Sequence, residues 1–313
     1  MEYYQLPKTD LKVSKIALGC MRIADKSVEE VEELIATALD LGINFFDHAD
    51  IYGGGKSEEL FGAVLKKHPE YREKMIIQTK CAIVPGKRYD FSKEHIINSV
   101  NESLKRLNCD YVDILLLHRP DALCDPQEVA EAFDELYESK KVRYFGVSNH
   151  TPYQIKLLQK YSKYPIIINQ LQLSIVHSVM IASGLNMNMK EDWAQDKEDW
   201  AQDKDGGVLD FCRLNDITIQ PWSVIQASWA EGTFIDNPDY AKLNQELEKL
   251  ANEYHVSKTA IAIAWILRHP ANMQPIVGTT SPVHLKESVE AINVKLTRQQ
   301  WYDLYLASDK PLP

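Results

Sequence analysis

The sequence has few of the features that secreted, metal-binding or membrane-spanning proteins require. Its five cysteines are odd in number and include no C-x-x-C pair, which argues against a disulfide framework and a zinc site. Nine histidines show neither H-x-H nor H-E-x-x-H spacing, which disfavours a metal-dependent hydrolase, so no metal is expected. No signal peptide is visible, and no apolar run approaches the ~18 residues of a membrane span. These absences predict a cytoplasmic protein with reduced thiols.

Basic residues are also fewer than acidic residues. Lysine and arginine total 35 against 45 aspartates and glutamates, so the formal net charge is −10. Nucleic acids and anionic membranes need basic patches, and we therefore expect neither as a partner. A small anionic ligand stays compatible, because one local basic pocket would suffice. With 45% hydrophobic and 26% charged residues, the 313-residue chain has ordinary globular composition.

Short β-branched runs alternate with amphipathic segments along the whole chain, which is typical of repeated strand–helix units. Eight strands are predicted, each followed by at least one helix: Ile16–Gly19, Asn44–Phe46, Met75–Thr79, Val112–Leu117, Arg143–Val147, Ile166–Gln170, Thr218–Pro221 and Pro275–Val277. A closed barrel fills ~250 residues alone, so these units predict an α/β protein whose residues 1–313 form a single (β/α)₈ TIM-barrel domain.

A doubly wound open sheet is the competing architecture. It is disfavoured because no G-x-G-x-x-G follows the first strand and no linker or break in composition divides the chain. Residues Tyr3–Val13 alternate around a turn, which predicts a β-hairpin before the barrel proper, across its N-terminal end. Arg298–Ala307 predicts an extra C-terminal helix. Ser27, with Glu30 three residues later, predicts a capping box at the start of a helix.

Polar residues occur where the predicted strands end. Asp47 and Tyr52 follow the second strand, Lys80 the third and His118 the fourth. In a barrel, the carboxyl ends of the strands carry the active site. A tyrosine, whose unperturbed pKa is near ~10, is a poor acid until a neighbouring ammonium lowers that pKa. We therefore expect Lys80, held by Asp47, to lower the pKa of Tyr52, and His118 to orient a carbonyl oxygen.

Each of these residues also has an ordinary structural explanation. Asp47 alone is more often a turn or cap residue, Lys80 a solvated side chain and His118 a core histidine. Tyr52 could form a wall beside the glycines that follow it. Their joint occurrence at consecutive strand ends favours the catalytic interpretation.

The chain resembles the aldo-keto reductases from about Leu11 to Leu306. Four stretches carry the resemblance, and together they are highly specific: NFFDHADIYG at 44–53, DILLLHRPD at 113–121, GVSN at 146–149 and PIVGTT at 275–280. The resemblance implies a catalytic tetrad of Asp47, Tyr52, Lys80 and His118. It implies hydride transfer from a nicotinamide to a small carbonyl substrate, with Tyr52 as general acid. It also explains the missing glycine fingerprint, since the family binds the dinucleotide without a Rossmann fold.

The same resemblance implies where the cofactor is bound. Ser148, Asn149 and Gln170 would hold the carboxamide, and Trp222 would stack on the nicotinamide. The pyrophosphate and adenosine would lie against the remaining loops. The full set of expected cofactor residues is Gly19, Met21, Asp47, Ser148, Asn149, Gln170, Trp222, Ser223, Val224, Gly278, Thr279, Thr280, Ser281, His284, Glu287 and Ser288.

His284 departs from the family pattern, which commonly has arginine there for the 2′-phosphate of NADP. This weakens the case for NADP(H), although NADP(H) remains the expected cofactor ahead of NAD(H). Thr279, Thr280 and Ser281 before a helix form a suitable anion site. A cofactor-binding regulatory module with little turnover is the alternative function, as in the potassium-channel β subunits of this fold family. Either a monomer or a homo-oligomer is compatible with the sequence.

One segment is an unexplained repeat. Residues 191–197 read EDWAQDK, and residues 198–204 repeat them without a change. We expect a natural or engineered duplication within a helix carried by a surface loop. Its two tryptophans are seven residues apart and would share one helix face, and no chemistry is assigned to them.

Overall fold

The barrel wall consists of eight short strands. The structure is a computed structural model that describes residues 1–185, 205–228, 230–310 and 312, so the EDWAQDK repeat lies outside the described residues. The strands are β1 (Ala17–Gly19), β2 (Phe45–Asp47), β3 (Ile76–Cys81), β4 (Val112–Leu117), β5 (Val142–Ser148), β6 (Ile166–Gln172), β7 (Thr218–Trp222) and β8 (Ile276–Val277). Each overlaps a strand predicted from the sequence, with ends shifted by up to two residues.

The strands are parallel and follow one another around the wall in chain order from β1 to β7. The last strand, β8, pairs with β1 rather than with an outer edge, through the registers Ile276 with Ala17 and Val277 with Leu18. Strands β7 and β8 are connected by a hydrogen bond from the Gln274 N–H, just before β8, to the Ile219 carbonyl of β7 at 3.1 Å, which closes the barrel. The predicted barrel is confirmed, and the competing open sheet is wrong.

Helices cover the outside of the wall. They are α1 (Val28–Asp40), α2 (Lys56–Lys67), α3 (Lys93–Leu107), α4 (Pro126–Glu138), α5 (Pro152–Tyr161), α6 (Val179–Leu185), α7 (Val208–Leu214), α8 (Ala241–Tyr254), α9 (Lys258–Leu267), α10 (Pro282–Val289) and α11 (Arg298–Ala307). The predicted capping box is present, since the Ser27 hydroxyl accepts from the Glu30 N–H and the Glu30 carboxylate accepts from the Ser27 N–H. Within the described ranges, no helix is both long enough and apolar enough to cross a membrane.

The lower half of the barrel interior is apolar and is closed by the chain's first residues. Strands Tyr3–Gln5 and Lys12–Ser14 pair antiparallel, which confirms the predicted hairpin. Leu6, Leu11 and Val13 from this segment are buried in one cluster with the barrel residues Ala17, Phe45, Ile76, Ile114, Leu116, Ile167, Ile168 and Ile276. The hairpin therefore plugs the N-terminal end, and the interior is a packed core rather than a channel.

The extra C-terminal helix is confirmed and is joined to α9 by two tryptophans. The rings of Trp265 and Trp301 stack with centroids 4.8 Å apart. Each indole N–H donates to the other residue's carbonyl, at 3.1 Å and 3.0 Å. The α9–α11 contact thus buries both aromatic rings and gives each indole N–H an acceptor.

Helices α2 and α3 approach closely at Gly62. A Cβ atom there would lie 1.9 Å from the Arg106 carbonyl oxygen. We expect Gly62→Ala to lower the free energy of unfolding by about 1–3 kcal/mol, because the two helices would have to move apart. Gly184→Ala in α6 is the matched control, since no atom lies within 4 Å of its added Cβ. It should leave stability unchanged or raise it by up to about 1 kcal/mol. Urea unfolding of both variants measures the difference, and equal effects would contradict the close approach.

Candidate active site

Four side chains from three neighbouring strand ends meet at the top of the barrel. Asp47 ends β2, Lys80 lies near the end of β3, and His118 directly follows β4. Strands β2 and β3 are in register at Asp47 and Gln78, and β3 and β4 at Lys80 and Leu116. Because side chains alternate along a strand, this register directs Asp47, Gln78 and Lys80 into the barrel together. The sequence prediction that these residues converge is confirmed by their contacts.

The turn after β2 brings Tyr52 over the same point. Gly53 and Gly54 both have left-handed backbones, with φ of 58° and 65°. A Cβ at Gly53 would lie 2.3 Å from the Ala24 Cβ, so this turn also needs glycine for its close packing on the preceding loop. The backbone thereby points the Tyr52 ring inward, perpendicular to the ring of His118 at a centroid distance of 6.0 Å.

Lys80 is fully buried, and its ammonium uses all three of its N–H groups. It donates to Asp47 Oδ2 at 2.7 Å, to the His48 carbonyl at 2.8 Å and to the Tyr52 hydroxyl at 2.9 Å. The hydroxyl of Tyr52 is therefore the acceptor in its contact with Lys80, and its own proton is free for another partner. Tyr52 lines a cavity, so that proton is available to a molecule bound there.

The expected net lowering of the Tyr52 pKa is wrong. Burial raises the pKa of Tyr52 above its ordinary value, the Lys80 ammonium lowers it as expected but offsets only part of that rise, and the Asp47 carboxylate raises it further. Burial also disfavours the ammonium form of Lys80, but Asp47 and Tyr52 together hold the pKa of Lys80 above 10.5. The site thus holds a protonated phenol next to a charged lysine at neutral pH. That arrangement supplies a proton and favours the phenolate left behind.

His118 is held neutral. Burial, with the positive charges of Lys80 and Arg119, lowers the pKa of its imidazole well below 6.5. Its Nδ1 atom is buried without a hydrogen-bond partner in the described structure. A neutral imidazole in this position can orient a carbonyl oxygen by donating an N–H hydrogen bond without acting as a strong acid.

A cavity of about 1080 Å³ runs from Tyr52 and His118 toward α8, α9 and α10. This volume slightly exceeds the roughly 300–1,000 Å³ of ordinary ligand pockets and can hold a long ligand. Nearly all residues predicted to bind the cofactor line it: Gly19, Met21, Asp47, Ser148, Asn149, Gln170, Trp222, Ser223, Val224, Gly278, Thr279, His284, Glu287 and Ser288. Thr280 and Ser281 are not among the lining residues. The Ser281 hydroxyl instead caps α10 by accepting from the His284 N–H.

The cavity also contains residues that the sequence reasoning missed. Lys258, at the start of α9, forms ion pairs with Asp236 and with Glu248, the latter at 3.3 Å. Ile51, Ile83 and Asn252 are further lining residues without a prediction. Lys258 and Asn252 lie far along the chain from the motifs and belong to no recognisable spacing, so only the folded arrangement of α8 and α9 brings them to the site. Ile51 lies within the 44–53 motif and Ile83 three residues after Lys80, but an apolar side chain at either position does not by itself indicate a site.

The polar groups around Gln170, at the barrel end of the cavity, fit a carboxamide. Gln170 Oε1 accepts no hydrogen bond from any described residue, and an amide N–H₂ is the complementary donor. Asn149 and Ser223 flank this end with left-handed backbones, φ 61° and 57°. Strained conformations of this kind concentrate where ligands are clamped. Trp222 offers a flat apolar face, so the residues present fit a nicotinamide dinucleotide.

The comparisons with known proteins agree with this geometry. The family model described as Aldo/keto reductase family matches residues 15–305. The chain is 36% identical over 308 residues to Oxidoreductase YdhF of Escherichia coli strain K12, covering 94% of this chain and 93% of that protein. It is 34% identical over 309 residues to 6-dehydroglucose reductase of Agrobacterium fabrum, covering 94% of each.

A solved structure is also similar over the whole chain. The crystal structure of the thermostable aldo-keto reductase Tm1743 with the inhibitor epalrestat has a TM-score of 0.76 and 26% identity, covering 98% of this chain and 100% of that one. The family model, the similar proteins and the fold therefore all indicate the same family. The chain belongs to the aldo/keto reductase family of NAD(P)H-dependent oxidoreductases, which reduce small carbonyl compounds.

Proposed function

We propose that this protein is an NADP(H)-dependent reductase that converts an aldehyde or ketone to an alcohol, with Tyr52 as general acid. One observation carries the proposal. The three hydrogen bonds donated by Lys80 leave the Tyr52 proton as the free acidic hydrogen at the cavity wall. When bound in this cavity, a nicotinamide dinucleotide would supply the hydride for the carbonyl carbon.

Three side chains handle the carbonyl oxygen. The neutral imidazole of His118 donates a hydrogen bond that orients the oxygen toward Tyr52. Tyr52 gives its proton to the oxygen as negative charge develops there. The phenolate that remains lies 2.9 Å from the Lys80 ammonium, whose charge stabilises it. Asp47 keeps that ammonium in place through the 2.7 Å ion pair.

The preference for NADP(H) over NAD(H) rests on His284 and on the groups before α10. His284 and Thr279 line the cavity at the start of α10, where the adenosine would lie. A 2′-phosphate there would gain one imidazole and one hydroxyl contact, which NAD(H) cannot use. Glu287 lines the same end, so we expect the preference to be smaller than an arginine at position 284 would give.

Replacing Tyr52 by Phe tests the proton donor. We expect kcat for aldehyde reduction to fall by about 10²–10⁴, because the general acid is removed. The affinity for NADPH should change by less than about twofold, since the hydroxyl faces the substrate. Stopped-flow turnover and an NADPH titration measure the two effects. Tyr153→Phe on exposed α5 is the matched control and should behave as wild type. Wild-type turnover by the Tyr52→Phe variant would remove Tyr52 from the role of acid.

The pH dependence of carbonyl reduction tests the protonation states. The pKa of Tyr52 is raised above 10 and the pKa of His118 is lowered well below 6.5. Neither group changes charge between about pH 7 and 9, so the profile of kcat/KM should be flat there. Activity should fall at higher pH as Tyr52 loses its proton. An ionisation between pH 6 and 7 that disappears in a His118→Gln variant would contradict the neutral imidazole.

Replacing His284 by Arg tests the cofactor preference. An imidazole offers phosphate a single N–H, whereas a guanidinium grips it with two parallel N–H groups. We expect the wild type to prefer NADPH by a small margin. The variant should show a wider margin. Lys286→Arg, on the same helix, is the control and should leave the margin unchanged. A wild-type preference for NADH would remove His284 from a 2′-phosphate site.

A further inference from the structure

Four buried glutamines connect the active site to the N-terminal hairpin through the centre of the barrel. We call Gln78, Gln170, Gln220 and Gln274, one each on β3, β6 and β7 and just before β8, the glutamine chain. All four are at most 3% exposed. Only Gln170 belongs to the residues that the family resemblance implies. The role of the other three is therefore open.

The chain begins at the Asp47 carboxylate. Gln78 Nε2 and Gln170 Nε2 both donate to Asp47 Oδ1, at 2.6 Å and 3.0 Å. The same two nitrogens donate to Gln220 Oε1, at 2.9 Å and 3.2 Å. Gln220 Nε2 then donates to Gln274 Oε1 at 2.8 Å. Gln274 Nε2 finally donates to the Ser14 carbonyl of the hairpin at 2.7 Å.

The direction of every amide in this chain follows from its two ends. The Asp47 carboxylate and the Ser14 carbonyl can only accept hydrogen bonds. Asp47 therefore requires the N–H₂ groups of Gln78 and Gln170, and these in turn require the oxygen of Gln220. Ser14 requires the N–H₂ group of Gln274, which leaves the Gln274 oxygen for the N–H₂ group of Gln220. The two requirements agree, so no amide can rotate by 180° without leaving two donors or two acceptors face to face.

This arrangement leaves Gln170 with one free polar atom. Both hydrogens of its N–H₂ group are used, one by Asp47 and one by Gln220. Its Oε1 atom accepts from no described residue, and Gln170 lines the cavity. The site therefore presents an acceptor, and never a donor, at this position. A ring substituent that carries an N–H₂ group matches it, whereas a methyl ketone of the same shape does not.

We propose that Gln220 is a positioning residue that holds the Gln170 amide, whose direction Asp47 sets, with its oxygen aimed into the cavity. The site then selects a dinucleotide whose pyridine ring carries a carboxamide. The assignment rests on the proposed function, because it takes the ligand at Gln170 to be a nicotinamide. Gln220 acts through Gln170 and Gln78, whose N–H₂ groups donate to its oxygen. Gln274 in turn fixes the direction of Gln220.

The test compares whole cofactors with fragments in Gln220→Met, which keeps the length of the side chain and removes both its hydrogen-bonding groups. Calorimetric titrations use NADP⁺ and NAD⁺, their 3-acetylpyridine analogues, and the fragments 2′,5′-ADP and 5′-AMP. In the wild type, we expect the carboxamide cofactor to bind about tenfold more tightly than its acetylpyridine analogue, since the analogue leaves Gln170 Oε1 unpaired. In Gln220→Met this ratio should fall to about two or less. Fragment affinity should stay within about twofold of the wild type, because the fragments do not reach Gln170.

Two further variants separate positioning from general damage to the barrel. Gln220→Glu offers a carbonyl and an O–H in place of the amide when protonated. Burial and the nearby Asp47 carboxylate both favour that form, so this variant should regain the wild-type ratio at pH 6. Among the described residues, the other charged group near position 220 is the Lys80 ammonium, which is paired with Asp47. Gln159→Met is the matched control, since Gln159 bonds the Ser162 and Tyr164 carbonyls and the Ile166 N–H at the far end of β6. It should lower stability without changing the ratio.

The outcomes are distinct. A Gln220→Met variant that keeps the wild-type ratio would overturn the positioning role. Parallel loss of cofactor and fragment binding in that variant would also overturn it, since the residue would then support the barrel as a whole. A wild type that binds neither cofactors nor fragments would overturn the proposed function itself, and the positioning role with it.

Discussion

The buried ion pair between Lys80 and Asp47 is the constraint on which the site depends. Both side chains are withdrawn from water, and an unpaired charge there would cost several kcal/mol. The ammonium therefore needs all three of its acceptors, and the carboxylate needs its donors. Meeting these needs fixes Tyr52, the His48 carbonyl and two glutamine amides in a single arrangement. The hydrogen bonds that pair these buried charges are therefore the same ones that position Tyr52 for proton transfer.

The barrel interior is divided between two kinds of packing. Its lower half is apolar and closed by Leu6, Leu11 and Val13 of the hairpin, which requires no hydrogen bonds from side chains. Its upper half is polar and is satisfied by a directed network of amides. The two halves meet where Gln274 bonds the Ser14 carbonyl. The hairpin is consequently more than a cover, since it supplies the acceptor that orients one end of the network.

Much of the fold and of the tetrad could be predicted from the sequence, because the signals are local. Alternating strands, the Ser27 capping box and the polar residues after each strand are readable within a few positions. Gln78, Gln220 and Lys258 could not be found in this way. Glutamine and lysine are ordinary surface residues, and their partners here lie up to 260 positions away, as in the Gln274–Ser14 contact. The net rise of the Tyr52 pKa could not be predicted for a related reason, since it depends on burial, which a motif does not report.

The complete burial of Lys80 also determines how the site recovers after each reaction. The ammonium has no route to solvent of its own, because its three N–H groups end on Asp47, His48 and Tyr52. A proton given up by Tyr52 must therefore be replaced from the cavity side, through the space that the product occupies. On the proposed chemistry, reprotonation waits for the alcohol to leave. Proton uptake from bulk water thus becomes coupled to product release rather than to the hydride step.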